Sequence, residues 1–211
     1  MIKTGIIGQG FIGKMHLAVL RQSKLTTVTA VADRDPANLA GKAVGGNIAV
    51  EGDISLEGVA KYDDGDALLR DPNVEAVLIA LPTYLHKEYI LKAAAAGKHI
   101  LCEKPLALNA ADALRMWQVA AQAGVVHMVG FNYRFVPALR HLRDLIAAGR
   151  LGQIYSLRAS YLQEGGDDPA RPFTWRHDRA AGGYNALGDL GQLLAERKVD
   201  ELKKSRGRIE K

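Results

Sequence analysis

Six residues near the amino end, Gly8-Gln9-Gly10-Phe11-Ile12-Gly13, carry the spacing G-x-G-x-x-G, and Asp33 follows twenty positions after the last glycine. In a chain with 22 glycines the spacing alone means little, so its surroundings decide what it is worth. A strand pattern, Thr4-Gly5-Ile6-Ile7, runs into it, a helical pattern leaves it, and an acidic residue closes the next strand pattern; this is the arrangement that binds a dinucleotide. Gly8 then permits the tight turn, Gly10 lets the backbone approach a pyrophosphate, and Gly13 lets helix and strand pack closely. The amides of Phe11 and Ile12 open the helix, where its dipole favours negative charge. Asp33 is placed to accept from ribose hydroxyls, which suits NAD. Its neighbour Arg34 is of the type that pairs with a 2′-phosphate, which keeps NADP open.

The elements that must hold these residues are legible as an alternation. Short β-branched runs (3–7, 27–32, 60–62, 75–80, 99–102, 125–130) alternate with stretches of helical period (11–21, 36–43, 64–69, 86–96, 110–123). Such alternation predicts βαβ units around a parallel sheet. The run 74–81 is apolar at nearly every position, as expected of a strand covered by helices on both faces. The expected fold is therefore α/β: a Rossmann-type doubly wound parallel sheet over residues 1–134, with a glycine-rich surface loop at 45–58. After Arg134 the rhythm changes to a helix over 137–148 and a period-2 run at 154–162 that reads as a strand with one wet face. An irregular stretch follows at 163–183. Residues 135–191 are thus expected to begin a second, α+β domain, and residues 192–211 to form an amphipathic basic tail helix.

In an open parallel sheet, ligands bind outside the carboxyl ends of the strands. Leu81-Pro82-Thr83 and Glu103-Lys104 both stand at such ends. Lys104 is suited to hold a hydroxyl oxygen and to stabilise the negative charge that develops as its proton leaves; the plainer alternative is a solvated Glu-Lys pair.

Composition narrows the function classes. Of the formal charge of +5, +3 falls in residues 192–211, so no clustered basic face precedes the tail and nucleic acid is not an expected partner. Cys102 is the only cysteine, which excludes an internal disulfide and any multi-cysteine metal site and fits a reducing compartment. No metal site is expected. With no secretory leader and no apolar run of membrane-spanning length, cytoplasmic residence is the expectation.

The segments Ile79-Ala80-Leu81-Pro82-Thr83-Tyr84-Leu85-His86, Gly97-Lys98-His99-Ile100-Leu101-Cys102-Glu103-Lys104-Pro105, Gly130-Phe131-Asn132-Tyr133-Arg134-Phe135, Phe173-Thr174-Trp175-Arg176 and Ala186-Leu187-Gly188-Asp189-Leu190-Gly191 carry a resemblance. The chain resembles the family of sugar and cyclitol oxidoreductases that includes glucose–fructose oxidoreductase and inositol 2-dehydrogenase, and Glu-Lys-Pro is the most specific part of the match. The resemblance implies NAD(P)-dependent hydride transfer from a secondary alcohol of a sugar or cyclitol, in relatives that commonly form homo-oligomers. It implies that Glu103 contacts the nicotinamide ribose and that His86 stands on the cofactor side. Trp175 and Arg176 match a pair that closes over the cofactor, although Trp175 could equally be a core residue of the second domain.

Asp189 matches the aspartate beside the family's catalytic histidine. There the pattern breaks. The family continues Asp-x-Gly with a small residue and that histidine, whereas this chain reads Asp189-Leu190-Gly191-Gln192-Leu193. His127 and His177 are expected to be structural or exposed rather than substitutes. Nothing in residues 192–211 resembles the family, so the terminus reads as truncated, frameshifted or naturally replaced, and a cofactor-binding protein without turnover stands as the alternative to an enzyme.

Overall fold

The computed structural model describes residues 1–40, 55–156, 158–160, 175 and 178–182. The chain divides into two compact units, Met1–Gly130 and Phe131–Lys211.

The first unit runs β1 (Ile2–Ile7), α1 (Phe11–Gln22), β2 (Thr26–Ala32), β3 (Ala60–Tyr62), α2 (Gly65–Arg70), β4 (Ala76–Ile79), α3 (Thr83–Ala95), β5 (His99–Cys102), α4 (Ala110–Gln122) and β6 (His127–Val129). Its six strands pair in parallel in the order β3-β2-β1-β4-β5-β6, the expected Rossmann-type sheet. Successive side chains of a strand point to opposite faces, and the burial follows that rule. Ile7, Val77 and Ile79 pack with Leu68, Tyr89, Ala93, Met116 and Ala120 from α2, α3 and α4. On the other face Ile6, Val31 and Leu78 pack with Leu17 of α1. Both faces are covered, which is why β4 is apolar throughout.

The register sets up the site. Ile7 pairs with both Ala32 and Ile79, Ile79 pairs with Cys102, and Cys102 pairs with Val129. The next residue of each strand therefore falls in one row along the carboxyl edge: Asp33, Gly8, Ala80, Glu103 and Gly130. Backbone bonds extend the ladder into that row, from Gly8 N to Ala32 O (2.8 Å), Ala80 N to Ile7 O (2.8 Å), Glu103 N to Ile79 O (2.9 Å) and Gly130 N to Cys102 O (2.8 Å).

The second unit contributes a short 3-10 turn (Asn132–Phe135), α5 (Pro137–Ala147) and α6 (Arg179–Gly182). None of its described residues is buried. No helix among the described residues is long and apolar enough to cross a membrane.

Three sequence expectations are corrected. In the stretch 36–43 the described residues form only a 3-10 turn at Asn38–Ala40, while 41–43 lie outside the described residues. The Asp33 and Asp35 carboxylates take the amides of Asp35 (2.8 Å) and Ala37 (2.9 Å), and such local side-chain bonds compete with helix. Helix α3 begins at Thr83, three residues before the expected 86, because Pro82 suits a helix start. Residues 154–156 and 158–160 form no strand; a period-2 pattern becomes a strand only against a partner, and none is paired with them among the described residues. Most of the expected loop at 45–58, the stretch 163–183 apart from 175 and 178–182, and the tail helix at 192–211 lie outside the described residues.

Candidate functional site

Each glycine of the turn has a distinct steric reason. Gly8 has φ +96°, and a Cβ there would stand 2.4 Å from Ala80 O. A Cβ on Gly13 would stand 1.9 Å from Gly8 O, so helix α1 rests directly on the turn. Gly10 differs from both, because a Cβ there would meet no atom of the described residues within 4 Å beyond its chain neighbours. Packing does not require glycine at position 10; the open space in front of it is where a ligand's approach would.

The helix starts point the same way. Helices α2 and α4 are capped by their own side chains, Asp64 Oδ1 accepting from Ala67 N (2.8 Å) and Asn109 Oδ1 from Asp112 N (2.9 Å). Helices α1 and α3 have Gly10 and Pro82 at their N-caps and no side-chain cap. The first amides of a helix have no partner within it. Helices α1 and α3 follow β1 and β4, the neighbouring strands between which the sheet order reverses and their helices leave to opposite faces. Such a switch point is where open α/β sheets bind ligands. Phe11 and Ile12 are the first two residues of α1, and no acidic residue stands in its first turn.

Asp33, at the end of β2, braces this turn. Its Oδ2 accepts from Gln9 N (2.7 Å) and Asn38 Nδ2 (3.2 Å), and its Oδ1 accepts from Asp35 N (2.8 Å). Arg34 beside it is exposed. A cavity of about 90 Å³ opens here between Asp33, Arg34, Gly65, Leu81, Leu85 and Tyr89. A wider hollow of about 460 Å³, lined by Ile2, Glu75, Gly97, Lys98 and His99, lies at the amino ends of the strands, away from every expected site residue.

Glu103 and Lys104 leave β5 at the same edge, both partly buried, and the Lys104-Pro105 peptide is cis. Glu103 Oε2 accepts from Lys104 N (3.1 Å). Leu81 and Pro82 bridge β4 and α3, and Thr83 is the buried first residue of that helix. Cys102, just before the pair, is 1 % exposed, and burial pushes its thiol pKa up, which leaves it inert.

His86 is corrected. Its side chain is 1 % exposed and turned toward backbone carbonyls, with Nε2 2.8 Å from Leu81 O and Nδ1 2.9 Å from Pro105 O and 3.3 Å from Leu106 O. It stands behind the site, tying the loop after β4 to the loop after β5, and presents nothing to a ligand. Burial lowers its pKa, against the opposing pull of the carbonyls and of Glu103.

Sequence reasoning passed over three residues of the turn and its helix. His16 Nε2 lies 2.7 Å from Glu103 Oε1. Lys14 is 3 % exposed, and Gln9 is fully buried, with an Oε1 that accepts from no described group. A signal for His16 existed: it lies three positions after Gly13 and so on the same face of α1. His127 is at the amino end of β6 with Nδ1 near Val125 O (3.0 Å), far along its strand from this edge. Trp175 belongs to the second unit, and Arg176, His177 and Asp189 lie outside the described residues.

Comparison with known proteins agrees with this geometry. Residues 2–131 match the family model described as "Oxidoreductase family, NAD-binding Rossmann fold", and residues 139–192 match "GFO/IDH/MocA C-terminal domain". The chain is 35% identical to a levoglucosan dehydrogenase of Pseudarthrobacter phenanthrenivorans over 90% of its length and 48% of the relative's. It is 33% identical to a myo-inositol 2-dehydrogenase of Thermotoga maritima over 81% of its length and 47% of the relative's. Among solved structures, levoglucosan dehydrogenase in complex with NADH and levoglucosan superposes with a TM-score of 0.79 at 32% identity, covering 93% of this chain and 53% of that one. The chain spans about half the length of the curated relatives it matches.

Proposed function

The chain belongs to the GFO/IDH/MocA oxidoreductase family, with an NAD-binding Rossmann domain, and from that premise we propose that it is an NAD-dependent dehydrogenase acting on a secondary alcohol of a sugar or cyclitol. The observation that carries the proposal is the row at the carboxyl edge, where the register brings Gly8, Asp33 and Glu103 level with one another in front of an uncapped α1. The residues fit the cofactor, since a Cβ on Gly10 would meet no atom of the described residues beyond its chain neighbours and α1 has no side-chain cap among them.

In this reading residues 1–134 are the dinucleotide domain and 135–191 the substrate side. Gly8, Gly10, Gly13 and the amides of Phe11 and Ile12 hold the pyrophosphate. Asp33 takes an adenosine ribose hydroxyl with the acceptor site that its three present donors leave, because a carboxylate offers about four such sites. The apolar cavity beside it, between Leu81, Leu85 and Tyr89, suits the flat face of a base. Glu103 takes the hydroxyls of the nicotinamide ribose, while Leu81, Pro82 and Thr83 wall the groove. Lys104 binds the substrate hydroxyl oxygen and stabilises its developing negative charge in a partly dry site. NAD, when bound, supplies the hydride acceptor. The family resemblance assigns Trp175 and Arg176 to the cofactor and Asp189 to the substrate.

The test has two arms. Lys104→Ala should lower NADH formation from a panel of inositols and pyranose sugars about 10²–10³-fold; an unchanged rate removes Lys104 from the chemistry. Asp33→Ala should narrow the preference for NADH over NADPH in calorimetric titration, and a wild-type preference for NADPH would transfer the recognition role to Arg34.

A further inference from the structure

We infer that His16 is a positioning residue for the nicotinamide half of the cofactor, locking the Glu103 carboxylate and so joining the pyrophosphate helix to the loop that carries Glu103 and Lys104. The inference rests on the reading above, in which Glu103 takes the nicotinamide-side ribose.

The contact links residues 87 positions apart. His16 leaves the second turn of α1, and Glu103 is the first residue beyond β5. Their side chains are only 27% and 13% exposed, so water competes weakly for either partner. A hydrogen bond with an ionised acceptor in such a place is about twice as strong as a neutral one. Each Glu103 oxygen has a fixed partner: Oε1 faces His16 Nε2 at 2.7 Å, and Oε2 accepts from the Lys104 amide at 3.1 Å. Because a carboxylate only accepts, His16 Nε2 must carry the proton.

The third wall is Gly130, whose absent Cβ would stand 3.1 Å from Glu103 Oε1. The carboxylate is therefore held from the helix side, from its own backbone and from the end of β6, while retaining lone pairs for a ligand hydroxyl. Without His16, one oxygen loses its fixed donor and the carboxylate gains rotamers that a bound ribose must then remove. Adenosine-side binding has no part in this arrangement, because Asp33 and the cavity beside it involve neither His16 nor Glu103.

That separation makes the inference testable on the full chain by calorimetric titration with NADH, ADP-ribose and ADP. ADP-ribose contains the second ribose and ADP does not. His16→Ala should weaken NADH and ADP-ribose about tenfold and leave ADP within about twofold. His16→Gln, which keeps a donor near the Nε2 position, should restore most of the loss. In a Glu103→Ala background, His16→Ala should have no further effect. Equal weakening of ADP and ADP-ribose would mean that His16 merely supports α1, and additive losses in the double variant would mean that it acts without Glu103; either overturns the inference. Undiminished binding in His16→Ala overturns it alone, whereas a wild-type chain that binds none of the three overturns the cofactor reading together with it.

Discussion

Residues 1–130 and the described residues beyond them are built on different terms. The first unit buries both faces of a six-stranded sheet, with Ile6, Ala30, Val31, Leu68, Ile79 and Ala93 wholly out of contact with water. In the second unit no described residue is buried, and Phe135, Leu151, Ile154 and Tyr155 are 46% to 87% exposed. The difference teaches where this chain can be self-sufficient. A site on the carboxyl edge of the sheet is held by a finished core, whereas a substrate wall requires surface that the described part of the second unit does not assemble.

The largest effect expected from that contrast is on turnover. Gln192 and Leu193 stand where the resemblance places a small residue and the histidine base. General-base assistance contributes about 10²–10⁴ in rate. The 211 residues should therefore bind cofactor far better than they oxidise any sugar or cyclitol, as followed by nicotinamide absorbance with saturating NAD. Rapid turnover by the wild-type chain would break the contrast and show that another group serves as base.

Next in size is Gly13→Ala, which sharpens what the finished core contributes. Its Cβ would overlap Gly8 O, and the overlap is with backbone rather than a yielding side chain. The unit should lose about 3 kcal/mol of stability in chemical denaturation and lose nucleotide binding with it. Retained stability would mean that α1 does not rest on the turn.

His86 provides a somewhat smaller effect with a defined pH signature. Replacing it with Ala removes the one N–H that the neutral ring donates, to Leu81 O in one tautomer or to the Pro105 and Leu106 carbonyls in the other, a loss of about 2 kcal/mol. Burial lowers its folded-state pKa below the ordinary 6.5. The unfolded chain then binds this proton first as pH falls, so the stability is fully present above pH 6.5 and is lost as pH drops from there toward the depressed value. Denaturation midpoints of the wild-type chain should fall across that window, and those of His86→Gln should fall less. Equal slopes would mean that the ring is not buried neutral.

The smallest effect concerns assembly. The exposed apolar side chains of the second unit should drive weak self-association visible in light scattering at high concentration. A monodisperse monomer under those conditions would show that residues outside the described set cover them.

What was legible in the sequence was what is local. Gly8, Gly10, Gly13 and Asp33 announce themselves because a phosphate turn needs fixed spacing within one βαβ unit, and the strand ends announce Leu81 and Glu103 because both runs stop there. The partner of Glu103 was not legible, since His16 meets it across 87 residues and only the strand register brings the two together. His86 misled for a related reason. Its place in a motif identified the right loop, while the direction of its ring depends on carbonyls contributed 19 and 20 residues later. The run at 154–162 misled because alternation states which faces a strand would have without supplying a neighbour.

The central claim is that the first unit holds the pyrophosphate and ribose contacts of the cofactor, and Gly10 separates site from fold cleanly, because a Cβ there meets no atom of the described residues within 4 Å beyond its chain neighbours. The measurement is calorimetric titration of NADH into the wild-type chain and into Gly10→Ala, with thermal unfolding of both. The account predicts micromolar binding by the wild-type chain, an unfolding curve within about 0.5 kcal/mol for the variant, and NADH affinity weakened at least about tenfold by crowding of the pyrophosphate. No NADH binding by the wild-type chain, or equal binding by a stably folded Gly10→Ala, would contradict it.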